Sequence, residues 1–204
     1  MKSFFRGLID RLSSSSGADS EDADMSPVTT GGGDDGRSSL FSGERHFKDT
    51  SVFEALGDID ELNSWIGLVR TREGVEPYTP FLHEIQIRLG RILATVATAP
   101  ASALFSQLQH VTEVDAAMLE DAQKRLKEEV EIPARFIVPG EVEGIGEIDV
   151  ARAITRRCER RVVHLIRELG RPDDEIRRAQ VFLNRLSDYL FVLGRAVEQQ
   201  MQAS

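Results

Sequence analysis

The sequence predicts an all-α protein, a five-helix bundle preceded by a flexible N-terminal extension. From Phe53 onward, apolar residues recur at intervals of three and four, the spacing of one face of a helix. No segment shows the two-residue alternation of a half-buried strand, and no internal repeat is present. Proline and glycine separate the apolar segments. A sheet-based nucleotide-binding fold therefore has no support.

Five segments carry the helical pattern, and each is predicted to be amphipathic: about 53–69, 81–96, 111–130, 148–169 and 173–200. The breaks between them contain the expected punctuation. Pro77 and Pro80 separate the first two helices, Pro139 and Gly140 precede the fourth, and Asp173 is expected to cap the fifth.

Composition excludes two classes of partner. The chain has 204 residues, of which 25 are basic and 34 acidic, and a formal charge of −9. Such a charge repels a phosphate backbone, so nucleic acid is not an expected partner. No apolar run approaches the roughly 18 residues that a membrane span requires. We expect no membrane span.

The chain has a single cysteine, Cys158. It cannot form an internal disulfide, and no cluster of histidine and cysteine with metal-ligand spacing accompanies it. We therefore expect a reducing compartment, the cytoplasm, and no metal site built from side chains.

Residues 1–27 are predicted to be a flexible extension, and residues 28–204 the folded domain. From Ser13 to Pro27 the chain is mostly Ser, Gly, Asp and Glu, with almost nothing to bury. Met1 to Leu12 has apolar residues at helical spacing beside three basic ones, which predicts a short amphipathic helix. Three purposes stay open for it: a dispensable tail, a docking peptide for a partner or shell, and an organelle-targeting segment.

A glycine-rich segment from Thr30 to Ser39 is the first candidate site. Many backbone N–H groups in such a loop can wrap a polyphosphate, although the segment matches neither of the common nucleotide-binding fingerprints. Lys48 follows closely and can add positive charge. The alternatives from composition alone are a solvated turn and an ordinary surface lysine.

The fourth predicted helix carries the second candidate. Arg152, Arg156 and Glu159 fall at i, i+4 and i+7 and form one stripe beside apolar residues. Two guanidinium groups on one stripe can bind a triphosphate or pair across an interface. The alternative is a solvated helix face with internal ion pairs.

Four other residues are singled out by their surroundings. Asp60, Asn184 and Asp188 are polar residues among apolar neighbours, so each needs a hydrogen-bond partner if it is buried. Phe136 precedes a turn, and a phenylalanine is ordinarily part of a core.

Five blocks of sequence then carry a resemblance. In chain order they are TGGGDDG (30–36) with SLFSGER (39–45), EALGDIDELNSWIG (54–67), FIVPG (136–140), VARAITRRCERR (150–161) and FLNRLSDYLF (182–191). Together they resemble the ATP:cob(I)alamin adenosyltransferases of propanediol-utilisation type, over about residues 30–197.

The resemblance implies an enzyme that transfers the 5′-deoxyadenosyl group of ATP to the cobalt of cob(I)alamin and releases triphosphate. It implies a homotrimer that binds ATP, Mg²⁺ and cobalamin between neighbouring subunits, with Arg152 paired to Asp60 across the interface. The catalytic residues it implies are Asp60, Phe136, Arg152 and Arg156; the ATP-binding residues are Thr30, Gly33, Asp34, Gly36, Lys48, Arg156, Glu159 and Asn184. A cobalamin-dependent enzyme or a reductase is the expected protein partner.

The implied chemistry needs no general base, because the nucleophile is cobalt(I). Arg156 and Lys48 are expected to stabilise the departing triphosphate together with Mg²⁺. Phe136 is the expected wedge that keeps the lower axial ligand off the cobalt.

Several positions depart from the family pattern. Asp35 stands where the family has lysine, Glu141 and Val142 replace glycine and serine, and Ile148-Asp149 replaces Leu-His. An anion at position 35 is expected to weaken ATP binding. Three alternatives therefore stay open: reduced activity, an altered corrinoid preference, and a non-catalytic carrier or sensor of ATP and adenosylcobalamin. A purely structural bundle is a separate hypothesis.

Overall fold

The computed structural model describes residues 31–140, 145–168, 170–171 and 173–203. The predictions for the extension 1–27, for Thr30 and for the departures Glu141 and Val142 lie outside these described residues.

The predicted five-helix bundle is confirmed in the described residues. The helices are α1 (Ser51–Val69), α2 (Thr79–Val96), α3 (Glu113–Glu129), α4 (Gly146–Glu168) and α5 (Asp174–Ala203). Each begins within a few residues of the start predicted from apolar spacing. Helix α5 is the longest, at 30 residues.

A short hairpin precedes α1, and the expectation of no strand was wrong at this point. Strand β1 (Arg37–Ser39) pairs antiparallel with β2 (Arg45–Phe47), with Ser38 opposite His46. Each strand has three residues, which is too short to display an alternating pattern in the sequence.

The helix ends follow from local chemistry. Pro80 occupies the first turn of α2, where its missing N–H costs no hydrogen bond. Thr112 and Asp115 form a reciprocal capping box at the start of α3. Past the end of α4, Gly170 adopts a φ of +59°, and the N–H of Arg171 returns to the carbonyl of Leu165.

Helix α4 packs between α1 and α5, while α3 packs on α5 and α2 on α1. One continuous apolar core lies between them, and its fully buried members include Ile59, Leu62, Ile66, Leu82, Ile85, Leu89, Leu119, Ile148, Val162, Phe182, Leu186 and Leu190. Among the described residues, no helix is both long and apolar enough to cross a membrane.

The α4–α5 connection is clamped to the end of α2. The guanidinium of Arg171 donates to the carbonyls of Val96, Thr95 and Thr98 at 3.1 to 3.2 Å. Thr95 and Val96 lie in the last turn of α2, where carbonyls lack an intrahelical partner, and Thr98 follows the helix. The end of α2 is thereby fixed, and the hairpin rests on this same end.

Candidate active site

The glycine-rich loop is folded by its own backbone into two successive turns. The N–H of Asp34 donates to the Gly31 carbonyl, and the N–H of Gly36 to the Gly33 carbonyl, each at 3.2 Å. Gly36 has a φ of +75°, a conformation that favours glycine. Its carbonyl accepts the N–H of Lys48 at 2.9 Å. The predicted phosphate loop is thus a defined structure tied to the residue that follows β2.

The side chain of Lys48 reaches back to the same loop. Its Nζ donates to the Gly33 carbonyl at 2.8 Å. A Cβ added at Gly33 would lie 2.9 Å from that Nζ, so a larger residue there would displace the amine. The ammonium group keeps two further hydrogens for an anion. Asp34 lies exposed in the same loop.

Asp35 is neutralised by an arginine of the hairpin. Nη2 of Arg45 lies 3.0 and 3.1 Å from the two carboxylate oxygens of Asp35 and also donates to the Gly32 carbonyl at 3.0 Å. The N–H of Arg37 adds a third hydrogen bond to Asp35, at 3.0 Å. The anion that the sequence placed beside a triphosphate is therefore already paired, and its carboxylate holds the loop against β2.

Two backbone contacts anchor the hairpin to α2. The N–H of Phe41 donates to the Ala97 carbonyl at 2.8 Å, and the N–H of Ala99 donates to Oγ of Ser42 at 3.0 Å. Leu40, between the strands, is buried in the core. The loop consequently has a fixed position at one end of the bundle.

The basic run of α4 divides into two faces. Arg157 pairs with Asp58 and Glu61 of α1, and Arg161 pairs with Asp58 and Glu54. These two arginines connect α4 to α1 within the chain. The expectation of internal ion pairs is correct for this face of α4. Arg152 and Arg156 lie on a different face of the helix.

Cys158 lies beneath this network. Its Sγ donates to the Asp58 carbonyl at 3.1 Å. Burial, reinforced by the nearby carboxylate of Asp58, raises the pKa of the Cys158 thiol to about 12. The thiol therefore stays protonated at neutral pH.

Arg152 and Arg156 line a groove of about 360 Å³ between α3, α4 and α5. Its other lining residues are Gln123, Lys127, Ile132, Ser187, Asp188, Phe191 and Val192. The Arg156 side chain is exposed and makes no ion pair with the described residues, whereas Nε of Arg152 lies 4.0 Å from Oδ1 of Asp149. Two guanidinium groups in one groove form a site for an anion with several oxygens.

Glu159 of α4 and Asn184 of α5 form a hydrogen bond between these two helices. Nδ2 of Asn184 donates to Oε1 of Glu159 at 3.1 Å, and Oδ1 of Asn184 accepts from Nη1 of Arg185 at 2.6 Å. Arg185 also contacts Glu120 of α3. Both ends of the Asn184 amide are thereby oriented.

Asp60 and Phe136 are exposed. Asp60 lies on the outer face of α1, and its carboxylate makes no ion pair with the described residues. Phe136 is 84% exposed, so the expectation of a core residue was wrong. Val138, two residues on, is 51% exposed, so Phe136 belongs to a small exposed apolar group.

The structure therefore forms two separate groups of predicted residues. Gly33, Asp34, Gly36 and Lys48 lie together in the loop, while Arg152, Arg156, Glu159 and Asn184 lie on α4 and α5. No residue of the described loop lines the groove.

A larger cavity of about 460 Å³ lies between α2, α3 and α5. Its lining is mainly apolar, with Tyr78, Phe81, Met118 and Tyr189, and Arg125 is its one basic residue among those described. A triphosphate needs several cationic or N–H donors, so we assign the candidate site to the smaller groove.

Two contacts of the site were missed from the sequence. The partner of Asp35, Arg45, is ten residues away, and opposite charges at that spacing give no signal until the hairpin is known. The partner of Asp149, Arg195, is 46 residues away on α5. Neither separation follows helical or strand periodicity.

Comparison with known proteins agrees with this arrangement. A family model described as cobalamin adenosyltransferase matches residues 28–197. Corrinoid adenosyltransferase MMAB of Bos taurus is 40% identical over 172 residues, which are 82% of this chain and 70% of that protein. Corrinoid adenosyltransferase PduO of Salmonella typhimurium is 34% identical over 83% of this chain, and the chain spans about half, 49%, of that relative.

Solved structures show the same fold. A variant PduO-type ATP:corrinoid adenosyltransferase from Lactobacillus reuteri, complexed with cobalamin and ATP, superposes with a TM-score of 0.77 at 30% identity. The match covers 86% of this chain and 96% of that one. From the bundle, the arginine groove and these matches together, the chain belongs to the cobalamin adenosyltransferase family.

Proposed function

We propose that this chain transfers the 5′-deoxyadenosyl group of ATP to the cobalt of cob(I)alamin, forming adenosylcobalamin and releasing triphosphate. The observation that carries the proposal is the groove lined by Arg156 and Arg152, in which the Arg156 guanidinium makes no ion pair with the described residues. A guanidinium in a groove, with no ion pair among the described residues, can bind a ligand anion through charge-assisted hydrogen bonds.

The reaction is a displacement at carbon. An electron pair of cobalt(I) forms the Co–C bond to C5′ of ATP, the C5′–O bond breaks, and its electron pair leaves with triphosphate. Cobalt becomes cobalt(III), and no proton transfer is needed. The work left to the protein is to orient the two substrates, exclude water and stabilise the charge of the leaving group.

We assign the leaving-group charge to Arg156 and Lys48. The Lys48 ammonium is already held at the loop by Gly33, and the N–H groups of the turns add further donors. Mg²⁺ prefers phosphate oxygens with one or two carboxylates, and the exposed carboxylate of Asp34 suits such a complex. When bound, the ion neutralises part of the triphosphate charge.

Phe136 is the proposed corrinoid contact. Its ring is 84% exposed and Val138, two residues on, is 51% exposed, so this loop presents an apolar surface. Placed against the lower face of the corrin ring, such a surface excludes water and the lower axial base. Cobalt that lacks this ligand is easier to reduce to the nucleophilic cobalt(I) state.

A homotrimer with sites between subunits would explain why the loop residues and the groove residues lie apart within one subunit. Asp60 is exposed and unpaired among the described residues, and Nε of Arg152 is shielded but has no hydrogen-bond partner there. Pairing Arg152 of one subunit with Asp60 of the next would satisfy both. It would also bring the loop of one subunit to the groove of its neighbour.

The carrier alternative depended on several departures from the family pattern, of which Asp35 is one. Its carboxylate is held by Arg45 and by the N–H of Arg37, so it does not present an uncompensated anion to the triphosphate. This pairing favours the catalytic hypothesis over a carrier with a degenerate loop.

A cytoplasmic location and a reductase or cobalamin-dependent partner remain proposals. The buried, protonated thiol of Cys158 fits a reducing compartment. An N-terminal segment that targets an organelle or shell is the alternative, and it lies outside the described residues.

The test compares two arginines of α4. Arg156 lines the groove, whereas Arg160 is exposed on the same helix and does not. We expect Arg156→Ala to lower kcat for adenosylcobalamin formation by about 10²- to 10³-fold. Arg160→Ala is expected to leave kcat unchanged, and both variants should keep the melting temperature. Equal rates for wild type and Arg156→Ala would refute the phosphate assignment.

A further inference from the structure

A buried ion pair lies beside the groove. Asp149, in the first turn of α4, is 8% exposed, and Arg195 of α5 is 3% exposed. Nη2 of Arg195 lies 3.4 Å from Oδ2 of Asp149, and Nη1 lies 2.8 Å from Oε2 of Glu198. Burying such charges costs free energy, and the attraction between them offsets this cost only when their geometry is good.

Two contacts connect this pair to the groove lining. Oδ1 of Asp149 lies 4.0 Å from Nε of Arg152, and the guanidinium carbon of Arg195 lies 6.0 Å from the ring centroid of Phe191. Both Arg152 and Phe191 line the groove. The pair therefore supports one cationic and one aromatic member of the site.

Few other contacts restrain Arg152 among the described residues. Its side chain is 30% exposed, and its Nε is shielded from solvent without a hydrogen-bond partner in the described residues. Among the described residues, the carboxylate of Asp149 is the one that lies within 4.0 Å of the Arg152 guanidinium. A guanidinium on a long side chain reaches many positions unless a fixed charge restricts it.

We propose that Asp149 is a positioning residue for Arg152 and that Arg195 fixes Asp149 in turn. The inference rests on the proposed function, in which Arg152 acts at the interface between subunits.

A double-mutant cycle separates positioning from stability. The variants are Asp149→Asn, Arg152→Met and their combination, and kcat/KM for cob(I)alamin is measured together with the melting temperature. The matched control is Asp115→Asn. Asp115 is also buried, pairs with Arg88 at 2.8 Å, and lies outside the groove.

We expect Asp149→Asn to lower kcat/KM on the order of tenfold in the wild-type background. In the Arg152→Met background it should lower kcat/KM by less than about twofold, because the residue through which it acts is gone. Asp115→Asn should lower the melting temperature and leave kcat/KM unchanged. An equal loss from Asp149→Asn in both backgrounds, or no loss in wild type, would overturn the proposal.

A second readout does not depend on turnover. The Nε–H signal of Arg152 in an arginine side-chain NMR spectrum can be assigned by its loss in Arg152→Met. We expect a sharp signal in wild type that broadens or shifts in Asp149→Asn and stays in place in Asp115→Asn. An unchanged signal in Asp149→Asn would contradict the positioning role. A wild-type protein without turnover would instead refute the proposed function alone.

Discussion

Nδ2 of Asn184 donates a hydrogen bond of 3.1 Å to Oε1 of Glu159, and this contact joins α5 to α4 beside the groove. Because Arg185 donates to Oδ1 of the same amide, the orientation of Asn184 is fixed from both ends. The amide and the carboxylate form one unit that can present polar atoms to a ligand in a constant geometry.

Replacing Asn184 by aspartate should disrupt this unit. Two carboxylates would then face each other at hydrogen-bond distance, and their repulsion would displace Glu159. We expect the KM for ATP to rise by about tenfold or more, with a smaller change in the KM for cob(I)alamin. Steady-state kinetics with each substrate varied in turn measures the difference. Equal changes in both constants would indicate a general disturbance of the bundle.

The Asp35–Arg45 pair predicts a charge-swap rescue. Asp35→Lys places a second cation beside Arg45, so the loop should open and the KM for ATP should rise several-fold. The double variant Asp35→Lys with Arg45→Glu should restore the KM. Both side chains are about half exposed, so we expect at most about 1 kcal/mol of change in unfolding free energy. A single Asp35→Lys variant that binds ATP better than wild type would contradict the assignment.

Asp115 predicts the acid sensitivity of the fold. Burial alone would raise its pKa, but hydrogen bonds from the Thr112 backbone and side chain and from Arg88 hold the pKa of Asp115 below its ordinary value of 3.8. Ionised Asp115 therefore stabilises the fold above that ordinary pKa, and this contribution is lost as the pH falls through the lower pKa of the folded state.

The measurement is the free energy of unfolding in urea at about pH 6 and about pH 3. Wild type should lose stability between the two. Asp115→Asn should be less stable than wild type by about 1 to 3 kcal/mol at the higher pH, and the difference should shrink at the lower pH. A difference that stays constant would show that the charge of Asp115 is not responsible.

A site between subunits predicts complementation. Lys48→Ala damages the loop and Arg156→Ala damages the groove, so each variant alone should be inactive or nearly so. Co-expressed subunits would assemble some interfaces with an intact loop from one chain and an intact groove from the next. We expect activity to return in the mixture, whereas a site within one subunit would give no recovery.

The helices were predictable because each buries one apolar face, and a buried face requires apolar residues at intervals of three and four in the sequence. The groups of the site were predictable only in part. Spacing put Arg152, Arg156 and Glu159 on one face of α4, but it did not show that Arg157 and Arg161 are used by α1, because Asp58 is 103 residues from Arg161. Long-range charge pairing follows from packing, which the spacing does not encode.

The exposure of Phe136 and Asp60 also could not be predicted from residue spacing. Phe136 is an apolar residue at a surface position, because residues 131–140, which follow α3, are mostly exposed. Asp60 has apolar sequence neighbours, yet it lies on the outer face of α1. Apolar periodicity identifies the face of a helix that packs on the core, and it carries little information about what contacts the opposite face.

The most direct test of the account is the stoichiometry of a single reaction. Purified protein is mixed with ATP, Mg²⁺ and chemically reduced cob(I)alamin without oxygen, and both adenosylcobalamin and triphosphate are quantified. If the chain is an adenosyltransferase, the two products form in equal amounts over several turnovers. Corrinoid binding without either product would refute this activity and would favour a carrier.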